Sequence, residues 1–274
     1  MSFLTDRTAL VTGAASGIGR AIVAELAASG AKIYAVDRDA ARLDEALSRW
    51  RSSGYAVEGR VIDCSDRDAL AALAADIDRV AGRIDILVLN AGILVGGPIG
   101  EIAEADIERI VAVNQMGVVH GVRAFLPLLR KTVGATIVVT SSAAGLCAFP
   151  FVAPYCMTKF AVAGFAESLA AELAPEGITV LTVFPGMVRT AVFDRAPISL
   201  PGNAIEKVLA LFDRWSGTPE ELACAVVRAI RKRRRTLPWL GAMWPLYQIK
   251  RLSIGLYQAL WAFLARRIVS RIGK

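Results

Sequence analysis

Short apolar runs alternate with longer amphipathic stretches along the first 190 residues of the chain. We predict six strands from the apolar runs, at 8–12, 32–36, 56–62, 85–89, 136–140 and 178–184. Their nearly continuous apolar character is typical of strands in a parallel sheet that is covered on both faces. Helices are predicted between them, at 17–29, 39–50, 66–81, 104–129 and 155–174. This alternation predicts an α/β fold, a Rossmann-like doubly wound parallel sheet with right-handed crossovers.

The pattern changes after residue 190. We predict a loop with a short helix over 190–215, a helix over 218–235 and a last strand over 236–240. Pro238 is suited to an edge strand, because proline cannot donate a hydrogen bond to a neighbouring strand. The remaining residues again follow a helical pattern.

Three glycines lie where the first predicted strand passes into the first helix. Gly13, Gly17 and Gly19 stand in the sequence TGAASGIG. Glycine lets a backbone turn tightly and approach a pyrophosphate, whose charge is stabilised at the helix N-terminus. Packing of the turn alone would also explain such glycines.

An acidic residue, Asp37, ends the second predicted strand. A carboxylate at this position accepts hydrogen bonds from the ribose hydroxyls of adenosine and repels a 2′-phosphate, which favours NAD over NADP. Arg38 follows directly and could pair with that phosphate, so NADP stays an alternative. Asp37 could instead cap the next helix.

Composition narrows the class of protein. Apolar residues make up 55% of the chain and charged residues 21%, so we expect a folded core rather than disorder. The first ten residues lack the basic start and apolar core of a signal peptide. The cysteines show no metal-ligand spacing and no disulfide framework, so we expect no metal and a reducing, cytoplasmic compartment. They are Cys64, Cys147, Cys156 and Cys224.

Six motifs occur in a fixed order between residues 12 and 186. They are TGxxxGIG at 12–19, NAG at 90–92, Asn114, SS at 141–142, YxxxK at 155–159 and PG at 185–186. Together they resemble the short-chain dehydrogenase/reductase family, over residues 8 to about 190. The resemblance implies an NAD(P)-dependent oxidoreductase that forms a homodimer or homotetramer. Thr158 departs from the serine that is common in the family.

The resemblance also implies a set of residues that bind the cofactor. These are Gly13, Ser16, Gly17, Ile18, Gly19, Asp37, Asp63, Asn90, Gly92, Tyr155, Lys159, Pro185, Gly186 and Thr190. Within this set Ile18 is expected at the phosphates, Asp63 at the adenine and Asn90 in the wall of the cofactor cleft. Residues 178–190 are expected to hold the nicotinamide carboxamide.

Four residues are candidates for catalysis. Tyr155 and Lys159 are four residues apart and so share one face of a helix. A phenol is a poor base at neutral pH. We therefore expect the ammonium and the positive nicotinamide ring to lower the pKa of Tyr155 towards 7, which requires roughly 4 kcal/mol. Ser142 is expected to hydrogen-bond the substrate oxygen, and its spacing from the tyrosine matches the family better than that of Ser141. By resemblance, Asn114 kinks a helix and relays protons to the lysine through water; its alternative role is helix packing.

The segments expected around the substrate are almost free of charge. They are 93–98, 144–154 and 187–193, with Arg189 as the exception. We therefore expect hydride transfer between nicotinamide and a lipophilic secondary alcohol or ketone of the sterol, retinoid or long-chain type, with Tyr155 as general acid and base. The alternative is a cofactor-binding scaffold or sensor that acts through its basic C-terminal segment. That alternative predicts a damaged catalytic set, whereas Ser142, Tyr155 and Lys159 are all present.

Charge is distributed unevenly along the chain. The first 221 residues hold 20 of the 32 Lys and Arg and all 25 acidic residues, a net charge of −5. The last 53 residues hold the other 12 cations and no acid, a net charge of +12. We therefore divide the chain into a dinucleotide-binding catalytic domain over 1–240 and a basic, apolar helical extension over 241–274.

The end of the chain has three possible partners. The stretch RKRRRTLPWLGAMW (231–244) is followed by an apolar segment at 252–265 with cationic pairs on both sides. Fourteen helical residues reach about 21 Å, short of the ~30 Å needed to cross a bilayer. Peripheral membrane contact through 239–274 is favoured over packing on the substrate cleft or on a second subunit. Nucleic acid is the least favoured partner because the segment is so aliphatic, and we expect none.

Overall fold

The computed structural model describes residues 4–189 and 216–272, with side chains up to residue 266. The loop and short helix predicted at 190–215 lie outside the described residues. The strands are β1 (Thr8–Thr12), β2 (Lys32–Asp37), β3 (Val57–Val61), β4 (Ile86–Leu89), β5 (Thr136–Thr140), β6 (Thr179–Pro185) and β7 (Thr236–Trp239). All are parallel, in the order β3-β2-β1-β4-β5-β6-β7. This confirms the doubly wound fold. From β1 the strands are added towards one edge of the sheet up to β3, and from β4 they are added towards the other edge.

Helices cover both faces of the sheet. Numbered along the described residues, they are α1 (Gly17–Ala28), α2 (Ala40–Ser52), α3 (Arg67–Ala81), α4 (Glu104–Val111), α5 (Gly117–Leu129), α6 (Ala153–Glu172), α7 (Pro219–Arg231), α8 (Trp244–Leu252) and α9 (Ile254–Ile272). The helix predicted over 218–235 ends earlier, at Arg231, and the cations of the 231–244 stretch begin there. β7 is an edge strand, as Pro238 predicts.

The long helix predicted over 104–129 is interrupted. A π-helical turn at Ala112–Met116 separates α4 from α5. A π-turn inserts an extra residue into the helical ladder and commonly marks a functional position. Here it contains Asn114.

The core lies on the two faces of the sheet. Successive residues of β1 alternate between them: Ala9 and Val11 pack with α1, α2 and α7, whereas Leu10 packs with α3, α5 and α6. Strand side chains alternate in this way because the pleat has a period of two. Both faces of β1 are completely buried, so the carboxyl end of this strand is a rigid base for the turn that follows it.

The C-terminal extension packs on the carboxyl edge of the sheet. Leu240 and Met243 are buried in a third apolar cluster, together with Ala143 and Phe184. Tyr257 of α9 is also buried. Among the described residues no helix is both long enough and apolar enough to span a bilayer.

Candidate active site

The glycine turn between β1 and α1 is packed so tightly that side chains do not fit. Gly13 and Gly17 have φ values of +65° and +50°, in the left-handed region that favours glycine. A Cβ on Gly13 would lie 2.8 Å from the Cα of Ala91. A Cβ on Gly19 would lie 2.0 Å from the carbonyl oxygen of Gly13. The turn therefore presents bare backbone at the carboxyl edge of the sheet.

Helix α1 begins at this turn with an open N-terminus. Ser16 is its N-cap, and the exposed Ser16 side chain makes no capping hydrogen bond. Ile18 is partly buried against the core. The N-terminal amides of a helix and a free hydroxyl beside them are suited to an anion such as a phosphate.

Asp37 ties the glycine turn to the end of β2. Its carboxylate accepts hydrogen bonds from the backbone N–H of Ala15 at 2.9 Å and of Asp39 at 3.0 Å. The N-cap of α2 is Asp39, which accepts from the N–H of Arg42. The alternative in which Asp37 caps this helix is therefore wrong.

Asp63 follows β3 and lies beside Asp37 in the sheet order. It accepts hydrogen bonds from the N–H and hydroxyl of Ser65 and pairs with Arg38 at 3.6 Å. Burial acts to raise the pKa of Asp63, but the Ser65 hydrogen bonds and the Arg38 charge outweigh it, so its pKa is lowered. Arg38 is thus paired within the protein.

The NAG segment after β4 lines the other side of the glycine turn. Thr12 Oγ1 accepts from the N–H groups of Asn90 at 3.0 Å and Ala91 at 3.2 Å. The Asn90 side chain donates to the carbonyl oxygens of Thr12 and Gly13. A Cβ on Gly92 would lie 3.3 Å from Lys159 Nζ, so Gly92 keeps open the space next to the lysine.

Tyr155 and Lys159 lie in the first two turns of α6. Lys159 Nζ is 5.7 Å from the centroid of the Tyr155 ring and donates to the carbonyl oxygen of Thr140 at 3.0 Å. Lys159 is 4% exposed, and Tyr155 is partly buried. The predicted pair therefore shares one face of the helix and points at the end of β5.

Burial dominates the titration of both groups. It raises the pKa of Tyr155, and the hydrogen bond with Ser142 offsets this only in part. Burial also lowers the pKa of Lys159 to about 8, against a smaller opposing effect of Cys64. In the protein without its cofactor, desolvation disfavours the charged form of both groups. The expected lowering of the Tyr155 pKa also needs the positive nicotinamide ring, and it stays a prediction for the protein with the cofactor bound.

The two serines after β5 have different roles. Ser141 is buried and its hydroxyl donates to the carbonyl oxygen of Lys159 at 2.8 Å. Ser142 begins the 3-10 turn Ala143–Gly145, where its Oγ accepts from the N–H of Ala144 at 3.1 Å. The Ser142 hydroxyl acts on the Tyr155 phenol and opposes the effect of burial on its pKa. Ser142 therefore faces Tyr155, whereas Ser141 holds α6 against the sheet.

Asn114 joins three parts of the site. Its Oδ1 accepts from the N–H of Ile93 at 2.7 Å, and its Nδ2 donates to the carbonyl oxygen of Ile93 at 2.9 Å. Nδ2 also donates to Thr158 Oγ1 at 3.2 Å, and Thr158 donates to the carbonyl oxygen of Tyr155. The threonine thus provides the hydroxyl that a serine would. The helix distortion and the packing expected of Asn114 occur together, and its proton relay to the lysine stays a prediction.

The PG segment closes the site at the end of β6. Pro185 ends the strand, and the N–H of Gly186 donates to the carbonyl oxygen of Trp239 at 2.8 Å. A Cβ on Gly186 would lie 2.4 Å from the carbonyl oxygen of Leu240. Thr190 lies outside the described residues.

Three groups that hold the predicted site residues in place were not predicted from the sequence. They are the Thr12 hydroxyl, the Thr140 carbonyl and the Ile93 backbone, which hold Asn90, Lys159 and Asn114. Thr12 is the one with a sequence signal, because it directly precedes the glycine turn. Backbone groups such as the other two leave no trace in residue type.

Comparison with known proteins places this site in a family. Residues 7–198 match the family model described as short chain dehydrogenase. The chain belongs to this family. It is similar to the probable oxidoreductase EphD of Mycobacterium tuberculosis, with 32% identity over 275 residues that cover 97% of this chain and 46% of EphD. The chain thus spans about half the length of this relative.

Two solved short-chain dehydrogenases resemble the chain in structure. One, from Burkholderia phymatum in complex with NAD, has a TM-score of 0.82 at 28% identity and covers 93% of this chain and 96% of its own. Another, from Mycobacterium paratuberculosis bound to NAD, has a TM-score of 0.75 at 28% identity and covers 86% and 96%. Both of these structures were solved with NAD bound.

Proposed function

We propose that the chain is an NAD-dependent dehydrogenase or reductase that acts on a lipophilic secondary alcohol or ketone. The observation that carries the proposal is the convergence of Ser142, Tyr155 and Lys159 at the carboxyl edge of the sheet, beside a glycine turn with no room for side chains. A scaffold or sensor would not need this set of groups.

The residues around the glycine turn fit a dinucleotide. The bare backbone at Gly13 and Gly19 and the open N-terminus of α1 would hold the pyrophosphate. Asp37 would accept the adenosine ribose hydroxyls. Asn90, Gly92 and the PG segment border the space that leads to Lys159. When bound, the nicotinamide ring supplies the acceptor or donor of the hydride.

The protein's own groups handle the proton. Tyr155 gives a proton to the carbonyl oxygen of a ketone, or takes one from an alcohol, within hydrogen-bond reach of that oxygen. Ser142 donates to the same oxygen and stabilises the charge that develops on it. Lys159, held by the Thr140 carbonyl, stabilises the phenolate. Asn114 fixes the backbone on which the other residues depend.

Charge pairing supports NAD over NADP. Asp37 places a carboxylate at the end of β2, and the neighbouring cation, Arg38, is paired with Asp63. A 2′-phosphate would therefore meet a carboxylate and would have to compete for the arginine. NADP is the alternative cofactor.

An apolar surface next to the catalytic residues supports a lipophilic substrate. The partly buried side chains of this surface are Leu146, Phe149 and Met187, which pack against the cluster that Ala143 and Phe184 form with Leu240 and Met243. Such side chains stabilise aliphatic carbon by burial, at about 25 cal/mol per Å², and offer few hydrogen bonds to a sugar or hydroxy acid. Sterols, retinoids and long-chain alcohols are the classes we propose.

A substrate screen with a tyrosine variant tests this function. Lipophilic alcohols are offered with NAD and, separately, with NADP. We expect Tyr155→Phe to lower kcat by about 10³-fold or more, because the general acid and base is lost, while NAD binding weakens far less, because the ring and the rest of the cofactor-binding set remain. Tyr247→Phe, which removes a hydroxyl from α8, is the matched control. Equal turnover by wild type and Tyr155→Phe would contradict the mechanism; NAD binding without turnover of any alcohol would favour the scaffold alternative.

Two further proposals concern assembly and location. We propose a homodimer or homotetramer, supported by the exposed side chains of Met116 and Met157 near the long helices, and light scattering tests it. We also propose a cytoplasmic protein with peripheral membrane contact through 239–274. The apolar side chains of Ile254 and Leu256, 61% and 60% exposed, support this contact.

A further inference from the structure

The loop that joins Ser142 to Tyr155 is held from outside by the C-terminal extension. Lys250 Nζ donates to the carbonyl oxygen of Leu146 at 2.5 Å. The Tyr257 hydroxyl donates to the carbonyl oxygen of Ala148. The extension thus binds backbone acceptors within the loop, across more than a hundred residues of sequence.

An aromatic contact continues this interface. The Trp261 ring of α9 meets Phe149 edge to face, with centroids 5.6 Å apart. Such pairs contribute about 0.5–1.5 kcal/mol beyond the area they bury. Phe149 is therefore held by its ring, whereas Leu146 and Ala148 are held by their carbonyls.

Lys250 also contacts the catalytic helix. Its Nζ lies 4.4 Å from the centroid of the Phe160 ring, which directly follows Lys159 in α6, and 5.9 Å from that of Tyr257. A cation near the face of an aromatic ring is attracted by it. One ammonium thus connects the loop, the catalytic helix and α9.

The position of the loop affects the hydroxyls of Ser142 and Tyr155, because the loop is bonded to the residues at both of its ends. Ser142 caps the 3-10 turn Ala143–Gly145, and Leu146 is the residue that follows this turn. At the other end, the N–H of Phe149 contacts the Sγ of Cys156 at 3.3 Å, next to Tyr155. A shift of residues 146–149 would therefore change where both hydroxyls point.

We propose that Lys250 and Tyr257 are positioning residues for catalysis. They hold the loop 143–152 through the carbonyls of Leu146 and Ala148, so that Ser142 and Tyr155 face one substrate oxygen. The inference rests on the proposed function for its catalytic consequence, whereas the holding of the loop does not depend on it.

Two full-length variants and two matched controls test the role in catalysis. We expect Tyr257→Phe and Lys250→Met each to lower kcat by about tenfold, because a small misplacement of reacting groups is costly, while KM for NAD stays unchanged. Lys250→Arg, which keeps a donor and a cation, should retain most of the activity. Tyr247→Phe likewise removes a tyrosine hydroxyl and Arg251→Met likewise removes a cation, both in α8, and each should leave kcat within about twofold.

Hydrogen exchange tests the holding of the loop without any substrate. Amides of 143–152 should exchange faster in Tyr257→Phe and Lys250→Met than in wild type or the two controls. Unchanged exchange in both variants would overturn the proposal, even in a chain that proved to have no dehydrogenase activity. Faster exchange with kcat equal to that of the controls would overturn it as well.

Discussion

Lys159 shows how the site uses a buried charge. Burial lowers its pKa to about 8, well below that of a free lysine. Gly92, whose Cβ would lie 3.3 Å from Nζ, leaves room beside it for a bound group rather than for a side chain. In the protein without cofactor the Lys159 ammonium is charged and buried at neutral pH. Burying this charge lowers the free energy of unfolding, and the loss can be measured.

The destabilisation caused by the buried Lys159 ammonium should appear in the pH dependence of the free energy of unfolding. Its folded pKa is depressed, so between about pH 8 and the unfolded value near 10.4 the unfolded chain binds a proton that the folded chain has released. Stability therefore rises with pH in this window and is lowest below it. We expect wild type to gain up to about 3 kcal/mol relative to Lys159→Met across this range, in urea unfolding without cofactor. Lys232→Met, at an exposed lysine, is the control; equal pH dependence of the two variants would contradict the prediction.

We propose that the choice between NAD and NADP depends on Asp37. Replacing it with serine removes the carboxylate that repels a 2′-phosphate, so that the phosphate competes only with Asp63 for Arg38. We expect Asp37→Ser to raise the ratio of kcat/KM for NADP over NAD by about tenfold or more, a difference of about 1.4 kcal/mol. Asp39→Ser, two residues further on at the N-cap of α2, should leave the ratio unchanged. The prediction is wrong if both variants keep the wild-type preference.

At the scale of elements, the glycine turn is defined by backbone contacts. A Cβ at Gly19 would overlap the carbonyl oxygen of Gly13, which cannot rotate away as a side chain can. We expect Gly19→Ala to lower the free energy of unfolding by about 2 kcal/mol or more and to weaken NAD binding. Gly100→Ala, where a Cβ meets nothing within 4 Å, should change stability by less than about 0.5 kcal/mol. Urea unfolding and an NAD titration distinguish the two; similar values for both variants would show that the turn can relax.

Strands were the elements most accessible from sequence. β1 and β5 lie at the predicted residues, because both faces of these strands are buried and every residue contributes to the apolar signal. The apolar pattern does not predict the break between α4 and α5, which only the family resemblance implied through Asn114. Apolar residues continue through it, and what holds the π-turn is Asn114 bonding to Ile93 and Thr158, 21 and 44 residues away.

Contacts between residues that are distant in the sequence were also what could not be predicted for the site. Residue type and spacing predicted Ser142, Tyr155 and Lys159, because the chemistry needs those side chains. Spacing could not predict that burial would raise the pKa of Tyr155, since desolvation depends on everything packed around the phenol. Nor could it predict that Lys250 binds a carbonyl 104 residues away.

At the scale of the whole molecule, the chain is an acidic body with a cationic end. The five cations from Arg231 to Arg235 stand where α7 meets β7, and Arg233 donates to the carbonyl oxygens of Gly134 and Gly177. This part of the basic stretch is therefore attached to the core, at the edge of the sheet where strands begin. The proposed membrane contact therefore depends on cations further on, such as the exposed Arg251 and Arg266.

Helix α9 has two apolar sides with different surroundings. Tyr257 is buried and contacts the loop 143–152, whereas Ile254 and Leu256 are more than half exposed. A second copy packed on the same face would bring together two segments 241–274, each with six cations and no acid, which is unfavourable. An anionic bilayer satisfies both the charge and the apolar surface.

Vesicle flotation tests this membrane contact with matched variants of the full chain. We expect binding to vesicles that contain phosphatidylserine, weaker binding to pure phosphatidylcholine and a loss with added salt. Ile254→Glu/Leu256→Glu should weaken binding by about tenfold or more, because two apolar side chains that would enter the interface become charged. Val80→Glu/Val133→Glu makes the same charge change at two exposed valines, 69% and 95%, in segments that precede strands and so lie at the opposite edge of the sheet. That control should bind like wild type. Equal weakening in both double variants would show that only the net charge matters and not the apolar side chains of α9. Wild-type protein that does not float with the vesicles would rule out membrane contact through α9.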